Sequence, residues 1–331
     1  MLRAVIGVLI CAWAASGRAQ QDAAGLEVLQ LRPNFYMIAS AVSNVGVQIG
    51  ADGVVVVNAG PQDKSGELLS AIQKLSTAPI RYVINTSADA DLVGGNRTLS
   101  KAGLRLGALT VRGNGRPPGQ DDAAFIMAHE NVLNRVRGLT PAIPAEAWPS
   151  ETFDDARKAL SFNGEGIEIL HLPAHTDGDA VVFFRRSDVV VAGHIIDATR
   201  FPVIDVARGG SIQGEIAALN RLIQLAIPAG PYLGIPTGAI ETSTAVLPGG
   251  TEVLTGRGRV YRQIDVVNYR DMVVIITDTI RHMIDQKMTL EQIKAAAPAK
   301  GWESEFGATS GPWTTNDFVE AIYKSLTSRK R

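Results

Sequence analysis

The sequence predicts an α/β fold in which helices cover β-sheets. Short runs rich in Val and Ile alternate with segments of helical periodicity along residues 26–326. One of these runs, Ile80–Ile84, leads directly into a polar loop, and polar loops after strands are where α/β scaffolds usually place their chemistry. The chain has 331 residues, of which 46% are apolar and 20% charged. It is therefore long enough to bury a self-sufficient core.

Residues 1–19 have the pattern of a secretory signal peptide. Arg3 gives a positive start, Ala4–Ala15 is apolar, and the segment ends on small residues around a cleavage position. The apolar stretch is too short to span a bilayer as a permanent anchor. Cleavage would remove Cys11, the only cysteine. We therefore expect an exported protein, periplasmic or extracellular, with no disulfide and no thiolate metal ligand.

Charge is almost balanced over the chain, with 32 basic and 33 acidic residues. No polybasic face is evident, so the sequence does not predict binding to nucleic acid or to an anionic membrane.

The first part of the predicted fold is a series of strands that are separated by turn residues. Asp52-Gly53 between two apolar runs is a hairpin signal. A helix follows, with Leu68, Leu69 and Ile72 on one side. The predicted elements are strands over Leu26–Leu31, Phe35–Ala39, Val45–Ile49, Gly53–Val57 and Ile80–Ile84, and a helix over Lys64–Leu75.

The second part alternates strands with longer helices. Gly107–Asp122 is rich in Gly, Pro and Arg and is predicted to be a surface excursion. Ser211 is a possible N-cap, and Thr289 with Gln292 forms a capping-box pattern. The predicted elements are strands over Ala124–Ala128, Phe153–Asp154, Lys158–Phe162, Ile167–Leu172, Val181–Phe184 and Asp188–Ala192, and helices over Ser211–Ala226, Ile264–Gln286 and Thr314–Leu326.

The loop over residues 84–96, with the sequence INTSADADLVGGN, is the strongest functional signal. Ser87, Asp89 and Asp91 occupy alternate positions and would project to one side if the loop were extended. Two carboxylates this close together suggest a bound cation, either a metal ion or an arginine.

This loop resembles the signature Asn-Thr-His-x-His-x-Asp-His-x-Gly-Gly-Asn of the metallo-β-lactamase superfamily. A second segment, residues 174–179 with the sequence AHTDGD, resembles the next zinc motif of that family, Gly/Ala-His-Thr-x-Gly-Asp. The resemblance implies a four-layer αβ/βα sandwich with a C-terminal helical extension, and zinc-dependent hydrolysis as the usual activity. On this basis we divide the chain into the signal peptide (1–19), a metallo-β-lactamase-like domain (20–262) and a helical extension packed on it (263–331).

Most of the family's zinc ligands are replaced in this chain. Asp91 and His175 keep their identity among the seven ligand positions, whereas the other five positions carry Ser87, Asp89, Leu92, His194 and Arg257. Asn58 also stands where the family has a supporting Asp. Leu92 cannot bind metal, and Arg257 is a cation that would repel one.

Three interpretations of this site are open. In the first, the site is degenerate and has no zinc, and Arg257 lies near Asp91 and Asp89 in place of the metal charge. In the second, Asp89, Asp91, His175 and His194 form a rearranged site for one zinc, manganese or iron ion, with Asp91 as the catalytic carboxylate. In the third, the cleft binds a small anion through Arg257, with Ser87 beside it.

The sequence therefore predicts an exported protein of this fold without zinc hydrolase activity, a pseudo-enzyme or small-ligand-binding protein that needs no cofactor. The alternative is a hydrolase that uses one divalent metal ion.

Overall fold

The computed structural model describes residues 25–105, 122–229 and 249–328, together with the backbone of residues 20–21. The predicted signal peptide and nearly all of the predicted surface excursion Gly107–Asp122 lie outside the described residues.

Eight strands form the first sheet, in the order of the chain. Strands β1 to β5 pair antiparallel, and β5 to β8 pair parallel. Crossover helices connect the parallel strands, as parallel pairing requires. The strands are β1 (Gln20–Gln21), β2 (Glu27–Arg32), β3 (Phe35–Ala39), β4 (Asn44–Gly50), β5 (Gly53–Val57), β6 (Ile80–Ile84), β7 (Phe125–His129) and β8 (Glu151–Phe153).

Five strands form the second sheet, in the order β13-β12-β11-β10-β9. Strands β9 to β12 are antiparallel, and β13 joins β12 in parallel. The strands are β9 (Arg157–Phe162), β10 (Glu165–His171), β11 (Ala180–Phe184), β12 (Val189–Asp197) and β13 (Glu252–Arg257).

Nine α-helices lie within the described ranges. The long helix α6 and the helices after it form the C-terminal helical extension. The helices are α1 (Ser65–Leu75), α2 (Ala90–Val93), α3 (Asn96–Ala102), α4 (Glu130–Val136), α5 (Ile212–Leu225), α6 (Gln263–Asp285), α7 (Leu290–Ala295), α8 (Glu303–Phe306) and α9 (Thr315–Thr327).

Three buried clusters hold the layers together. Between the two sheets, Phe35 of β3 meets Phe184 of β11 with ring centroids 4.8 Å apart. The outer face of the first sheet packs against α1, where Leu68 and Ile72 are buried. The outer face of the second sheet packs against α5, α6 and α9. The result is the helix–sheet–sheet–helix sandwich with C-terminal helices that the sequence predicts.

The predicted elements occupy nearly the same residues as the observed ones, with one useful exception. Strand β12 continues to Asp197, whereas the sequence predicts an end at Ala192. Its pairing with β13 shifts register around Gly193. The continuation places His194 within the strand, where it faces the functional site. None of the helices within the described residues is both long enough and apolar enough to cross a membrane.

Candidate functional site

The candidate site lies where segments from both sheets meet. The loop after β6 carries Asp89, the turn between β10 and β11 carries His175, and the irregular part of β12 carries His194. A short helical turn after β12, Val206–Arg208, adds Arg208.

Buried amide side chains fix the loop after β6. Asn85 and Asn96 exchange two hydrogen bonds, from each Nδ2 to the other Oδ1, at 2.9 and 2.8 Å. Asn58 Oδ1 accepts from the backbone N–H of Thr86 at 3.0 Å and from its hydroxyl at 2.9 Å. All four residues are buried. Three retained signature residues, Asn85, Thr86 and Asn96, therefore set the path of the loop together with Asn58.

Two glycines let β12 approach this loop closely. Gly193 has a φ of 56°, and a Cβ there would lie 2.4 Å from the Thr86 hydroxyl oxygen. A Cβ on Gly256 of β13 would lie 2.7 Å from Cδ2 of His194. Since only glycine avoids both clashes, these positions bring the His194 imidazole to the loop.

Asp89 is the centre of the site. Its Oδ2 atom accepts a hydrogen bond from the Ser87 hydroxyl at 2.7 Å. The same atom lies 3.0 Å from His175 Nε2 and 3.0 Å from His194 Nδ1. Its Oδ1 atom accepts from Arg208 Nη1 at 2.9 Å. Burial alone would raise the pKa of Asp89, but the two imidazoles outweigh burial and hold that pKa well below its ordinary value.

His175 is oriented by a backbone carbonyl. Its Nδ1 lies 2.7 Å from the Val203 carbonyl oxygen, which can only accept, so Nδ1 carries a proton and Nε2 faces Asp89. Burial opposes protonation of Nε2, and the Asp89 carboxylate favours it; the balance raises the pKa of His175.

His194 lies between two carboxylates. Nδ1 contacts Asp89, and Nε2 lies 3.2 Å from Asp91 Oδ2, although the latter contact is poorly aligned as a hydrogen bond. Burial works against the charged form, but both carboxylates stabilise it and raise the pKa of His194 to about 10. At neutral pH this side chain is therefore an imidazolium that bridges Asp89 and Asp91.

Arg208 supplies the positive charge that the sequence assigned to Arg257. Its Nε donates to Asp205 Oδ2 at 2.6 Å, while its Nη1 donates to Asp89. Arg257, Asp89 and Asp91 all lie in the described part of the chain, and Arg257 forms no ion pair with either carboxylate there. The predicted contact of Arg257 with these carboxylates is therefore not observed: Arg257 ends β13, where its backbone pairs with Asp197, and Arg208 forms the ion pair with Asp89.

The loop is not extended over Asp89 and Asp91, so alternate spacing does not bring these two side chains together. Asp89 precedes helix α2, and Asp91 lies in the first turn of that helix. The two carboxylates come together through His194, which contacts both of them. Leu92, at a family ligand position, is fully buried in the structure.

A cleft of about 280 Å³ opens onto this network. Ser87 is buried and donates to Asp89, and neither Ser87 nor Arg257, both within the described chain, lines the cleft. Their predicted role in ligand binding stays a prediction. The side chains around the cleft include Asp91, His194, Asp197, Arg200, Arg208 and Trp313.

The donor set differs from what a two-zinc centre needs, because Ser87, Leu92 and Arg257 stand in place of three histidines. It fits a single ion better. Asp89, His175 and His194 each offer one ligand atom, and these three atoms lie within 4.8 Å of one another. A metal-ligating histidine usually donates its other N–H to a carbonyl or carboxylate, as His175 does to Val203. Arg208 on Asp89 opposes a cation at the same place.

The fold and this group of side chains define a protein of the metallo-β-lactamase type. The sequence profile of the metallo-beta-lactamase superfamily matches residues 41–229, more than half of the chain. The chain belongs to this superfamily. Among curated proteins, no relative matches it.

Solved structures agree on the fold. A metallo-beta-lactamase from Pontibacter korlensis is 15% identical with a TM-score of 0.53, and the match covers 75% of this chain and 98% of that one. The DIM-1 metallo-beta-lactamase exposed to ceftazidime is 13% identical, with coverage of 77% and 98% and a TM-score of 0.52. A double mutant of the sec-alkyl sulfatase PisA1 is 11% identical with a TM-score of 0.59, and the match covers 91% of this chain and 50% of the sulfatase. At these identities the likeness concerns the fold alone.

Proposed function

We propose that this superfamily member binds a small anionic ligand in the cleft beside Asp89 and does so without a metal ion. The observation that carries the proposal is the ion pair between Arg208 and Asp89. It places a fixed positive charge next to the carboxylate around which a metal would have to bind. His175 and His194 direct ring nitrogens at the same carboxylate, so protein groups already satisfy Asp89.

Unused donors in the cleft favour an anion. Arg208 uses Nε and Nη1 for Asp205 and Asp89, and its Nη2 has no acceptor among the described residues. Arg200 donates from Nε to Asp197 Oδ2 at 2.6 Å, and its two terminal nitrogens likewise have no acceptor in the described part of the chain. A guanidinium with a free edge binds carboxylate, sulfate and phosphate oxygens well.

The size and charge of the cleft set limits on the ligand. Ligand pockets usually measure roughly 300–1,000 Å³. At about 280 Å³ the cleft matches a small ligand or the head group of a larger one. The Asp91 carboxylate would repel an anion, but its contact with the His194 imidazolium offsets that charge.

A metal-dependent hydrolase is the second candidate, favoured by the spacing of Asp89, His175 and His194. These three residues would hold one zinc, manganese or iron ion, and such an ion supplies an activated water for hydrolysis. The chain's own contribution would be the Val203 carbonyl, which holds His175 in the tautomer that presents Nε2. Asp91 would then lie close enough to His194 to orient it.

Calorimetric titration separates these functions. The mature protein, without a His tag, would be titrated with sodium sulfate, phosphate and acetate before and after treatment with a chelator. We expect at least one anion to bind, and binding to survive the chelator. Arg208→Gln and Arg200→Gln should each weaken binding about tenfold or more, since each removes a charged donor. Arg185→Gln removes an exposed arginine outside the cleft and is the matched control.

Two results would overturn the proposal. One is the absence of binding by all three anions. The other is binding that disappears with the chelator and returns with zinc, which would favour the metal-dependent hydrolase.

A further inference from the structure

The C-terminal extension contributes two residues, Pro312 and Trp313, to the lining of the cleft. Trp313 lies between α8 and α9 and lines the cleft together with Arg200 and Arg208. The other residues that line the cleft lie between Asp89 and Arg208 in the sequence. The extension is therefore part of the site.

The segment around Trp313 is held in place by local hydrogen bonds. The Thr314 hydroxyl and the Asp317 carboxylate form a capping box at the start of α9. Thr315 N donates to the Ala308 carbonyl at 2.9 Å, and Ala308 N donates to the Thr315 hydroxyl at 3.2 Å. These contacts close the loop 308–315 on itself and fix the backbone on either side of Trp313.

The indole N–H of Trp313 has no acceptor. Its Nε1 atom is buried, and the described residues offer it no hydrogen-bond partner. Trp N–H groups usually find a partner when they are buried. Trp148 illustrates this rule, since its Nε1 donates to the Ile143 carbonyl at 3.2 Å.

A second residue that lines the cleft also has a buried ring nitrogen without a partner. His194 Nε2 is buried without a well-aligned acceptor, although Asp91 is 3.2 Å away. The Trp313 N–H therefore has unused donor capacity, and Trp313 lines the same cleft as Arg200 and Arg208. An indole N–H can only donate, so the group that would satisfy it must be an acceptor, and a metal cation could not.

We propose that Trp313 is a ligand-binding residue whose Nε1–H donates to an oxygen of the anion in the cleft. The inference rests on the proposed function and deepens it. The predicted ligand class is an oxyanion, a carboxylate, sulfate or phosphate group, that receives guanidinium donors from the domain and an indole donor from the extension. Sulfate, phosphate and acetate all present such oxygens, and their relative affinities show which of the three oxyanion groups the cleft prefers.

Trp313→Phe tests the role of the N–H, because it keeps an aromatic ring and removes the donor. In titrations with sulfate, phosphate and acetate, the affinity of the anion that binds best should fall about tenfold or more, as expected for a lost hydrogen bond to a charged group. Trp302→Phe is the matched control: it changes a tryptophan of the same extension that packs on the core and does not line the cleft.

The indole N–H signals of the wild-type protein provide a second test by NMR, which does not depend on whether Trp313→Phe folds. Protein labelled with ¹⁵N-tryptophan shows one indole N–H signal per tryptophan, and the signals of Trp148 and Trp302 are assigned from single Phe variants. On titration with the anion, the Trp313 signal should move downfield. The Trp148 signal should stay, because its N–H already has an acceptor.

The outcomes distinguish the two proposals. Anion binding that needs Arg208 but leaves the Trp313 signal and the Trp313→Phe affinity unchanged would overturn this inference and leave the proposed function intact. No binding of any of the three anions would overturn both.

Discussion

Arg208 Nη1 donates to Asp89 Oδ1 at 2.9 Å, across 119 residues of the chain. Asp89 stands where the family has a zinc-binding histidine, and the proposed function gives this ion pair the place of a ligand and of part of the metal charge. The pair is largely buried, with 13% of the Asp89 side chain and 31% of the Arg208 side chain exposed. An ion pair of this kind depends on its geometry, since the loss of solvation opposes the Coulomb attraction.

Removal of the guanidinium should destabilise the protein. In Arg208→Gln, Asp89 Oδ1 and Asp205 each lose a charged donor, and we expect the free energy of unfolding to fall by about 1–3 kcal/mol. Urea denaturation at pH 7 measures this value. The control, Arg185→Gln, breaks an exposed pair with Glu168 and should change stability by less than about 1 kcal/mol. Equal effects of the two variants would show that Arg208 has no special role.

Removal of this guanidinium in Arg208→Ala should also let the protein bind zinc more tightly than the wild type. Arg208 lies beside the group formed by Asp89, His175 and His194, and a positive charge there repels a cation. We expect the zinc affinity of Arg208→Ala to exceed that of the wild type by about tenfold or more, measured by competition with a chromophoric chelator. A gain that persists when His175 is also changed to Ala would place the zinc elsewhere and contradict the prediction.

The charge of His194 should appear in the pH dependence of stability. Its pKa is raised from the ordinary 6.5 to about 10 in the folded protein, by Asp89 and Asp91 against the effect of burial. The folded state therefore binds this proton more tightly than the unfolded state. Its contribution to stability is complete below pH 6.5 and is lost as the pH rises toward about 10.

His194→Gln should remove this component of the pH dependence. Urea denaturation at pH 6 and pH 9.5 should show a smaller difference for the variant than for the wild type. His282→Gln, at an exposed position of α6, should leave the difference unchanged. NMR titration gives a direct check, because a His194 ring that titrates near pH 6.5 would contradict the account.

Glu215 should make the protein less stable at alkaline pH. It is completely buried in α5, and neither carboxylate oxygen has a partner among the described residues. Burial, with a smaller effect of Asp179, raises the pKa of Glu215 well above its ordinary value of 4.5. The folded protein therefore binds this proton more tightly than the unfolded protein, and its contribution to stability is present below pH 4.5 and lost as the pH rises.

Glu215→Gln keeps the shape of the side chain and cannot ionise. We expect this variant to be more stable than the wild type at pH 8, with a difference that shrinks toward pH 5, measured by thermal denaturation. Glu291→Gln changes a carboxyl whose side chain is 83% exposed and should show no such trend. A Glu215→Gln variant that is less stable at both pH values would show that Glu215 has a partner as a carboxylate.

The sequence predicts most of the fold because the pattern of apolar residues is local. Phe35–Ala39, Gly53–Val57 and Ile80–Ile84 are strands with the predicted bounds, and Ser211 and Thr289 cap helices as predicted. In each case the determining residues lie within one element or one turn of it.

The site is less predictable, because its contacts join distant parts of the chain. Asp89, His175 and His194 could be selected from motif positions, and the structure brings them together. Arg208 and Trp313 occupy no motif position, and only the fold shows that they reach the cleft. Arg257 does occupy a motif position, but that position fixes the backbone and leaves the direction of the new, longer side chain open.

Metal content is the measurement that tests the central claim most directly. The protein would be produced without a His tag in medium supplemented with zinc, manganese and iron, and then analysed by elemental mass spectrometry. The account predicts a folded protein with far less than one metal ion per chain, because Arg208 and the two imidazoles already satisfy Asp89. About one metal ion per chain, lost in His175→Ala or His194→Ala, would contradict it and favour the single-metal hydrolase.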